Sequence, residues 1–413
     1  MAQCLRPRRL IVAAALFSAF AFELLVAQTA RESSPQIRQK TFDVVWKTVN
    51  DKSFDPRFGG VNWAAVHDRY APLVAAVTSN RELFDLLDRM LKEIPISHLH
   101  LLELDTLDTL LARSVVTTGL ALRDVDGQVL VTRVVDGSAG GKAGLRAGFV
   151  VKAIDDVAPA TARAAEATLA GEKKPHRLTV LDDADTVRDF VIEHQLPPAD
   201  KLEAVSIGNA KRYAFVESRR VAGGIGYIHF TNFIAPLKKK LGAAFNAMRT
   251  APGIIIDLRG NSGGDTELGL ALAGMLVEKE TQLAIERTRR GDDYSYKAKP
   301  QKNPYRGPVV ILLDQESASE SEQVTAGLQG AGRVVVIGKR SRGEDMDATL
   351  EGLPIDAVAL LYPVGYPRTP KGLVVEGHGV TPDIEVNLAR AELLNGKDSQ
   401  LDAAIRHIQE LKR

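Results

Sequence analysis

Three serines at alternate positions, Ser317, Ser319 and Ser321, follow the apolar run Val309 to Leu313 in "VVILLDQESASESEQVTAG". A serine at the mouth of a buried strand, opening a helix, has its hydroxyl beside free backbone N–H groups and the positive end of the helix dipole, surroundings that favour an oxyanion. Serines there also cap helices and fill turns. A second apolar run closes similarly: "GIIIDLRGNSGGD" ends on Asp257 and Arg259, with Gly260, Gly263 and Gly264 in the turn. Such glycines let backbone N–H groups approach a ligand closely, and equally suit a plain turn with an ion-paired exit. The run lacks the lysine of a phosphate loop and the G-x-G-x-x-G spacing of a dinucleotide site.

Two further stretches carry chemistry-bearing side chains. "IPISHLHLL" sets His98 and His100 two apart, which on a strand points both the same way. A general base is one use of such an imidazole and a zinc pair another, but neither H-E-x-x-H nor a carboxylate at ligand spacing follows, so no metal is expected. "GLVVEGHGVTPDIEV" places Glu376 and His378 around two glycines: Glu376 is a candidate to orient a base, and His378 a competing base.

The elements that must position these groups fall into three textures. From Gln36 to Ile94 the pattern is helical, with Phe42, Val45, Trp46 and Val49 on one face, then Ser79 as N-cap ahead of Leu83, Leu86, Leu87 and Met90. From Ser114 to Ile192, short alternating strands such as "GLALRD" and "QVLVTRVV" surround a short helix ending at Gly144, which predicts a compact β-rich domain, and "LPPADK" follows as a linker. Beyond Lys201, continuous apolar strands alternate with helical stretches, which predicts an α/β domain whose sheet is buried on both faces. The charged, proline-containing segment from Arg287 to Tyr305 is expected to be a mobile loop.

At 413 residues several domains are expected, and 53 Lys+Arg against 52 Asp+Glu, with no block of like charge, argue against nucleic acid and for small or peptide-like partners. Residues 1–30 pair Arg6, Arg8 and Arg9 with an apolar run and small residues, the layout of a cleaved signal peptide, hence export to the periplasm or beyond. Glu23 interrupts the run, so an uncleaved membrane anchor fits less well. Cys4, the only cysteine, lies inside that segment, leaving the mature chain without disulfide or thiol nucleophile.

Taken in order, "ISHLHL", "GIIIDLRGNSGG", "SASESE" and "VEGHGVTPDIEV" resemble the C-terminal processing peptidases, or tail-specific proteases, over about Phe42 to Val386. The resemblance implies an α/β multidomain protein: an N-terminal helical module (36–100), a PDZ-like β-rich domain (114–195), a crotonase-like α/β catalytic core with a helix-flanked sheet (201–392) and a C-terminal helix (393–413). It puts the nucleophile on Ser319. In one branch the base is a lysine in a glycine-flanked turn; here that turn is "GKRSRGED", Glu344 stands in the lysine's place and Lys339 is five positions early. The branch similar to the tricorn core protease uses a serine-histidine pair and a glutamate, matched by Ser97, His98 and Glu376. On this resemblance His98 takes the proton of Ser319, Ser97 relays to Glu376, and the Glu320 N–H with an N–H of the Gly263-Gly264 turn holds the oxyanion. A carboxylate beside that oxyanion would repel it, so Glu344 is expected to point away. Gly119, Leu120, Ala121 and Leu122 form the candidate loop for a peptide carboxylate. The expected activity is that of an exported serine endopeptidase acting on unfolded or tail-presented polypeptides without a cofactor; the alternative is a non-catalytic peptide or apolar-ligand binder on the same fold.

Overall fold

The computed structural model describes residues 32–103, 114–171, 174–207 and 210–411; the expected signal peptide and Cys4 lie outside them. Among the described residues three helices come first: α1 (Pro35–Lys52), α2 (Trp63–Val74) and α3 (Asn80–Leu91). Ser79 caps α3 by accepting the Glu82 N–H, and Leu83, Leu86, Leu87 and Met90 are buried, as the periodicity predicts. The chain then turns through Ser97 and His98 into strand β1 (His100–Glu103). His98 therefore precedes the strand, with a positive φ of 57°, and does not share a face with the exposed His100.

A single turn, α4 (Ser114–Thr117), leads into β2 (Leu120–Val125), β3 (Gln128–Val134), α5 (Ala139–Ala143), β4 (Val150–Ile154), α6 (Ala162–Gly171), β5 (His176–Leu181) and β6 (Val187–Ile192). The five strands make one antiparallel sheet in chain order, with β2 at its edge, and pack on α5 and α6 through their own apolar core. Gly144 ends α5 at φ 94°, a left-handed cap that favours glycine.

The rest of the described chain contributes β7 (Leu202–Ile207), β8 (Ala210–Arg220), β9 (Gly226–Phe230), α7 (Leu237–Ala247), β10 (Ile254–Asp257), α8 (Thr266–Gly274), β11 (Thr281–Thr288), β12 (Asp293–Ala298), β13 (Val309–Leu313), α9 (Glu320–Gly330), β14 (Val335–Gly338), β15 (Asp347–Gly352), β16 (Val358–Arg368), β17 (Ile384–Glu385), α10 (Arg390–Leu394) and α11 (Ser399–Glu410). Its main sheet runs β17-β14-β13-β10-β9-β8-β7, parallel from β17 to β9, with β8 and β7 antiparallel. One face packs on α7, α8 and α9, the other on α11, so β10 and β13 are wholly buried, as their unbroken apolar runs require.

Two expectations need correction. The segment after Arg287 is an antiparallel hairpin of β11 and β12, not a mobile loop. Its alternating tyrosines explain this: the Tyr296 hydroxyl lies between the carboxyl groups of Glu286 (2.7 Å) and Asp347 (2.6 Å), and Arg289 near the tip donates to the carbonyls of Ser53 and Asn50 at the end of α1. The helical module joins the core: β1 pairs with β16 in a second, antiparallel sheet (β1-β16-β11-β12, with β15 on β16), and Leu360 and Tyr362 pack among Phe42, Leu87 and Met90. The C-terminal helix is two helices, parted at Gly396 (φ 71°) and restarted by Asp398 as N-cap.

Candidate active site

Strands β10 and β13 are parallel neighbours, so the turns that follow them emerge side by side. Asp314, at the end of β13, accepts from the Gly260 and Glu316 N–H groups (2.9 and 3.0 Å) and thereby holds both turns. The serine cluster divides its labour. Ser317 and Ser321 are fully buried and donate to the carbonyls of Leu258 (2.9 Å) and Asn261 (3.0 Å), lashing one turn to the other. Ser319 alone of the three is half-exposed, at the N-cap of α9 with φ 55° and ψ −126°, a conformation that costs a non-glycine residue on the order of 1–3 kcal/mol and is kept where the surroundings over-determine it.

Those surroundings centre on Glu322, which the sequence reading missed. Its buried carboxyl accepts from Ser341 Oγ (2.5 Å) and from the backbone N–H groups of Gly343 (2.6 Å), Glu344 (3.0 Å) and Ser319 (3.1 Å). Burial pushes its pKa up to about 7, against those hydrogen bonds. The Ser319 N–H also donates to the Glu344 carbonyl (2.8 Å), so the turn carrying Glu344 lies directly against the nucleophile candidate.

The same turn reaches the base candidate. The Asp345 N–H donates to Glu376 Oε2 (2.8 Å); Glu376 Oε1 accepts the Ser97 N–H (2.9 Å), and Oε2 also accepts the Ser97 hydroxyl (2.9 Å). Ser97 Oγ lies 2.7 Å from His98 Nδ1. A hydroxyl has one proton, and that of Ser97 goes to Glu376, so Ser97 must accept from Nδ1–H. Nε2 of His98 is left as the bare nitrogen, able to receive a proton. Burial lowers the His98 pKa to about 4, while the Glu344 charge opposes the shift, which keeps the ring neutral through the physiological range. His378 is turned outward, exposed, with Nδ1 on the Glu376 carbonyl (2.9 Å).

Gly263 approaches Ser319 so closely that a Cβ on it would stand 2.6 Å from the Ser319 Cβ and 2.7 Å from the Glu320 nitrogen. Its own N–H donates to Asn261 Oδ1 (2.9 Å), which leaves Gly264 as the glycine with an N–H to offer. Glu320 contributes its backbone at the first turn of α9; its side chain is buried against α8, where Gly269 has no room for a Cβ. Glu344 reaches Arg342 (3.5 Å) and Arg163 of α6 (3.7 Å) with its carboxylate. Lys339 is occupied at the surface by Glu385 and Asn387. Gly119 makes a turn at φ 79° and Leu120 to Leu122 are the start of β2 rather than a loop, with Leu120 and Leu122 fully buried. Among the described residues no group of three His, Cys, Asp or Glu side chains is arranged to hold a metal, and no helix is long and apolar enough to cross a membrane.

Residues 224–386 match Peptidase family S41, and residues 34–92 match the tricorn protease C1 domain. The chain is 28% identical over 403 residues to tricorn protease homolog 1 of Streptomyces coelicolor, covering 92% of this chain and 36% of that one, so it spans about a third of that relative's length. It is 25% identical over 384 residues to the carboxyl-terminal-processing protease of Synechocystis sp., covering 89% of this chain and 86% of that one. In fold it is similar to the photosystem II D1 C-terminal processing protease, with a TM-score of 0.58, 22% identity and coverage of 88% and 98%, and to the tricorn protease, with a TM-score of 0.53, 20% identity and coverage of 92% and 37%. The chain thus joins a region similar to the tricorn protease C1 domain, near its front, to a region that matches Peptidase family S41.

Proposed function

We propose that this protein is a serine endopeptidase of the C-terminal processing type, in which Ser319 attacks the peptide carbonyl and His98 Nε2 takes its proton and returns it to the leaving amine. The observation that carries the reading is the proton chain from Glu376 through Ser97 to His98, which fixes the tautomer a general base requires and supplies negative charge to steady the imidazolium. The Glu320 and Gly264 N–H groups are the donors for the tetrahedral oxyanion, and Gly263 supports them by lacking a side chain where Ser319 approaches. The substrates are extended polypeptides, as the names of the protease relatives support. The first thirty residues support export to the periplasm or beyond, and the sheet formed by β2 to β6 supports a PDZ-like domain.

A fluorophosphonate serine-hydrolase probe tests the assignment. Labelling of the wild type that disappears in Ser319→Ala and in His98→Ala is the expected result. A wild type that never labels, and leaves an unfolded protein substrate intact over a day, replaces the enzyme with a binding protein on the same fold. N-terminal sequencing of the protein recovered from outside the cytoplasm tests export, with a start after Ala27 or Ala30 expected.

A further inference from the structure

In a β-domain whose edge strand faces a helix, an added peptide strand would lie in the cleft between them, hydrogen-bonding along that edge. Here the cleft between β2 and α6 is already stitched by its own side chains. The Leu122 N–H donates to Glu166 Oε1 (2.9 Å), and Arg123 Nη1 donates to the Leu122 carbonyl (2.6 Å) and to Glu166 Oε1 (3.1 Å). One residue on, the Asp124 carboxylate accepts the Ala162 N–H (2.9 and 3.1 Å), closing the N-terminus of α6 onto the strand. The backbone donor and acceptor that an incoming strand would use at Leu122 are both engaged, and Glu166, 4% exposed, holds the place of a peptide's terminal carboxylate.

The stitch continues into the catalytic core. Arg123, 6% exposed, makes a close ion pair with Asp314, the residue that holds the Gly260 turn and the serine elbow together. It packs against Gly260 so tightly that any Cβ there would overlap the guanidinium. A second tie comes from α6, where Arg163 reaches the carboxylate of Glu344, whose backbone carbonyl accepts the Ser319 N–H.

We propose that Glu166 is a built-in occupant of this cleft. The domain then acts as a fixed brace and not as a reader of free C-terminal carboxylates: substrates are taken as internal extended segments, and Arg123 is a positioning residue that sets the oxyanion turn and the Ser319 elbow through Asp314. The substrate part rests on the peptidase reading; the closed cleft does not.

The two are separated by measuring binding without catalysis. In full-length Ser319→Ala protein, fluorescence anisotropy compares two unstructured peptides that differ only in ending as a carboxylate or as an amide. Affinities equal within about twofold, or undetectable for both, are expected; a carboxylate form bound about tenfold tighter or more overturns the closed cleft. Failure of the probe labelling described above would instead remove the peptidase reading and leave the anisotropy result standing. For Arg123, the expected result in Arg123→Met is a kcat lowered about tenfold or more at nearly unchanged KM, partly recovered in Arg123→Lys. Unchanged kcat in a variant whose melting temperature alone falls overturns the positioning role.

Discussion

Ser319 is held by Glu322 of its own helix and by the Glu344 carbonyl beyond β14, whereas Ser97, which meets His98, is held by Glu376, 279 positions further along the chain. The side of the proposed nucleophile is an elbow between a buried parallel strand and a helix, stiffened by buried serines and by four donors converging on one carboxyl. The base side is a turn ahead of an edge strand, with a backbone angle that a β-branched or bulky residue would resist, tied down by the three hydrogen bonds Glu376 accepts. Ties to several different segments make the first side tolerant of losing any one of them. The second side depends on one long-range contact.

Removing Ser319 gives the largest expected effect. In Ser319→Ala, kcat is expected to fall by about a thousandfold or more while the melting temperature stays put, because the hydroxyl is the proposed nucleophile and the elbow is held by other groups. A kcat loss below about tenfold would break the comparison at its root. Glu376→Gln follows, with kcat lowered roughly a hundredfold to ten-thousandfold together with a lower melting temperature, since the carboxyl serves the relay and two backbone N–H groups at once. Ser97→Ala sharpens this: it should cut kcat about tenfold to a hundredfold with little change in melting, separating relay from scaffold.

Proton linkage gives a smaller effect on the nucleophile side. Burial raises the pKa values of Glu322 and Glu286 to about 7 from an ordinary 4.5, and raises those of Glu320, Asp345 and Asp347 as well. Groups shifted this way bind protons more tightly in the fold than when unfolded, so stability is lost as pH rises from about 4.5 through 7, by up to roughly 3 kcal/mol for Glu322. Below about 6.5 the burial of His98 and His229, which lowers their pKa values to about 4, works the other way. The melting temperature is therefore expected to be higher at pH 6.5 than at pH 8, and a rise over that interval would contradict the assignment. The smallest effect is that of Glu344→Gln: a change of less than about threefold in kcat at neutral pH, and an acid limb of kcat/KM moved to lower pH, because the lost charge favours protonated His98.

Much of the nucleophile side was legible because it follows from local patterns. Two unbroken apolar runs ending in serines and glycines require buried parallel strands with tight exits, and β10 and β13 are those strands. What the pattern could not divide was labour within the cluster: only the packing shows that Ser317 and Ser321 are bolts and Ser319 is not. Glu322 was missed for the same reason, since a glutamate three residues into a helix looks like an ordinary capping residue. The hairpin of β11 and β12 was hidden by its charge, although the alternation of Tyr294 and Tyr296 with polar residues is a strand signal.

Residue order by itself determined the helical face of α1 to α3, the small antiparallel domain, the buried strands and the list of side chains able to do chemistry, because each depends on neighbours within a few positions. Only the tertiary structure decided which imidazole nitrogen is free, that β1 joins β16, that Gly263 spends its N–H on Asn261 and that Glu166 fills the cleft beside β2. Those outcomes turn on single protons and hydrogen-bond geometry between segments far apart in the chain. Spacing along a sequence carries no information about such distances until the core has closed.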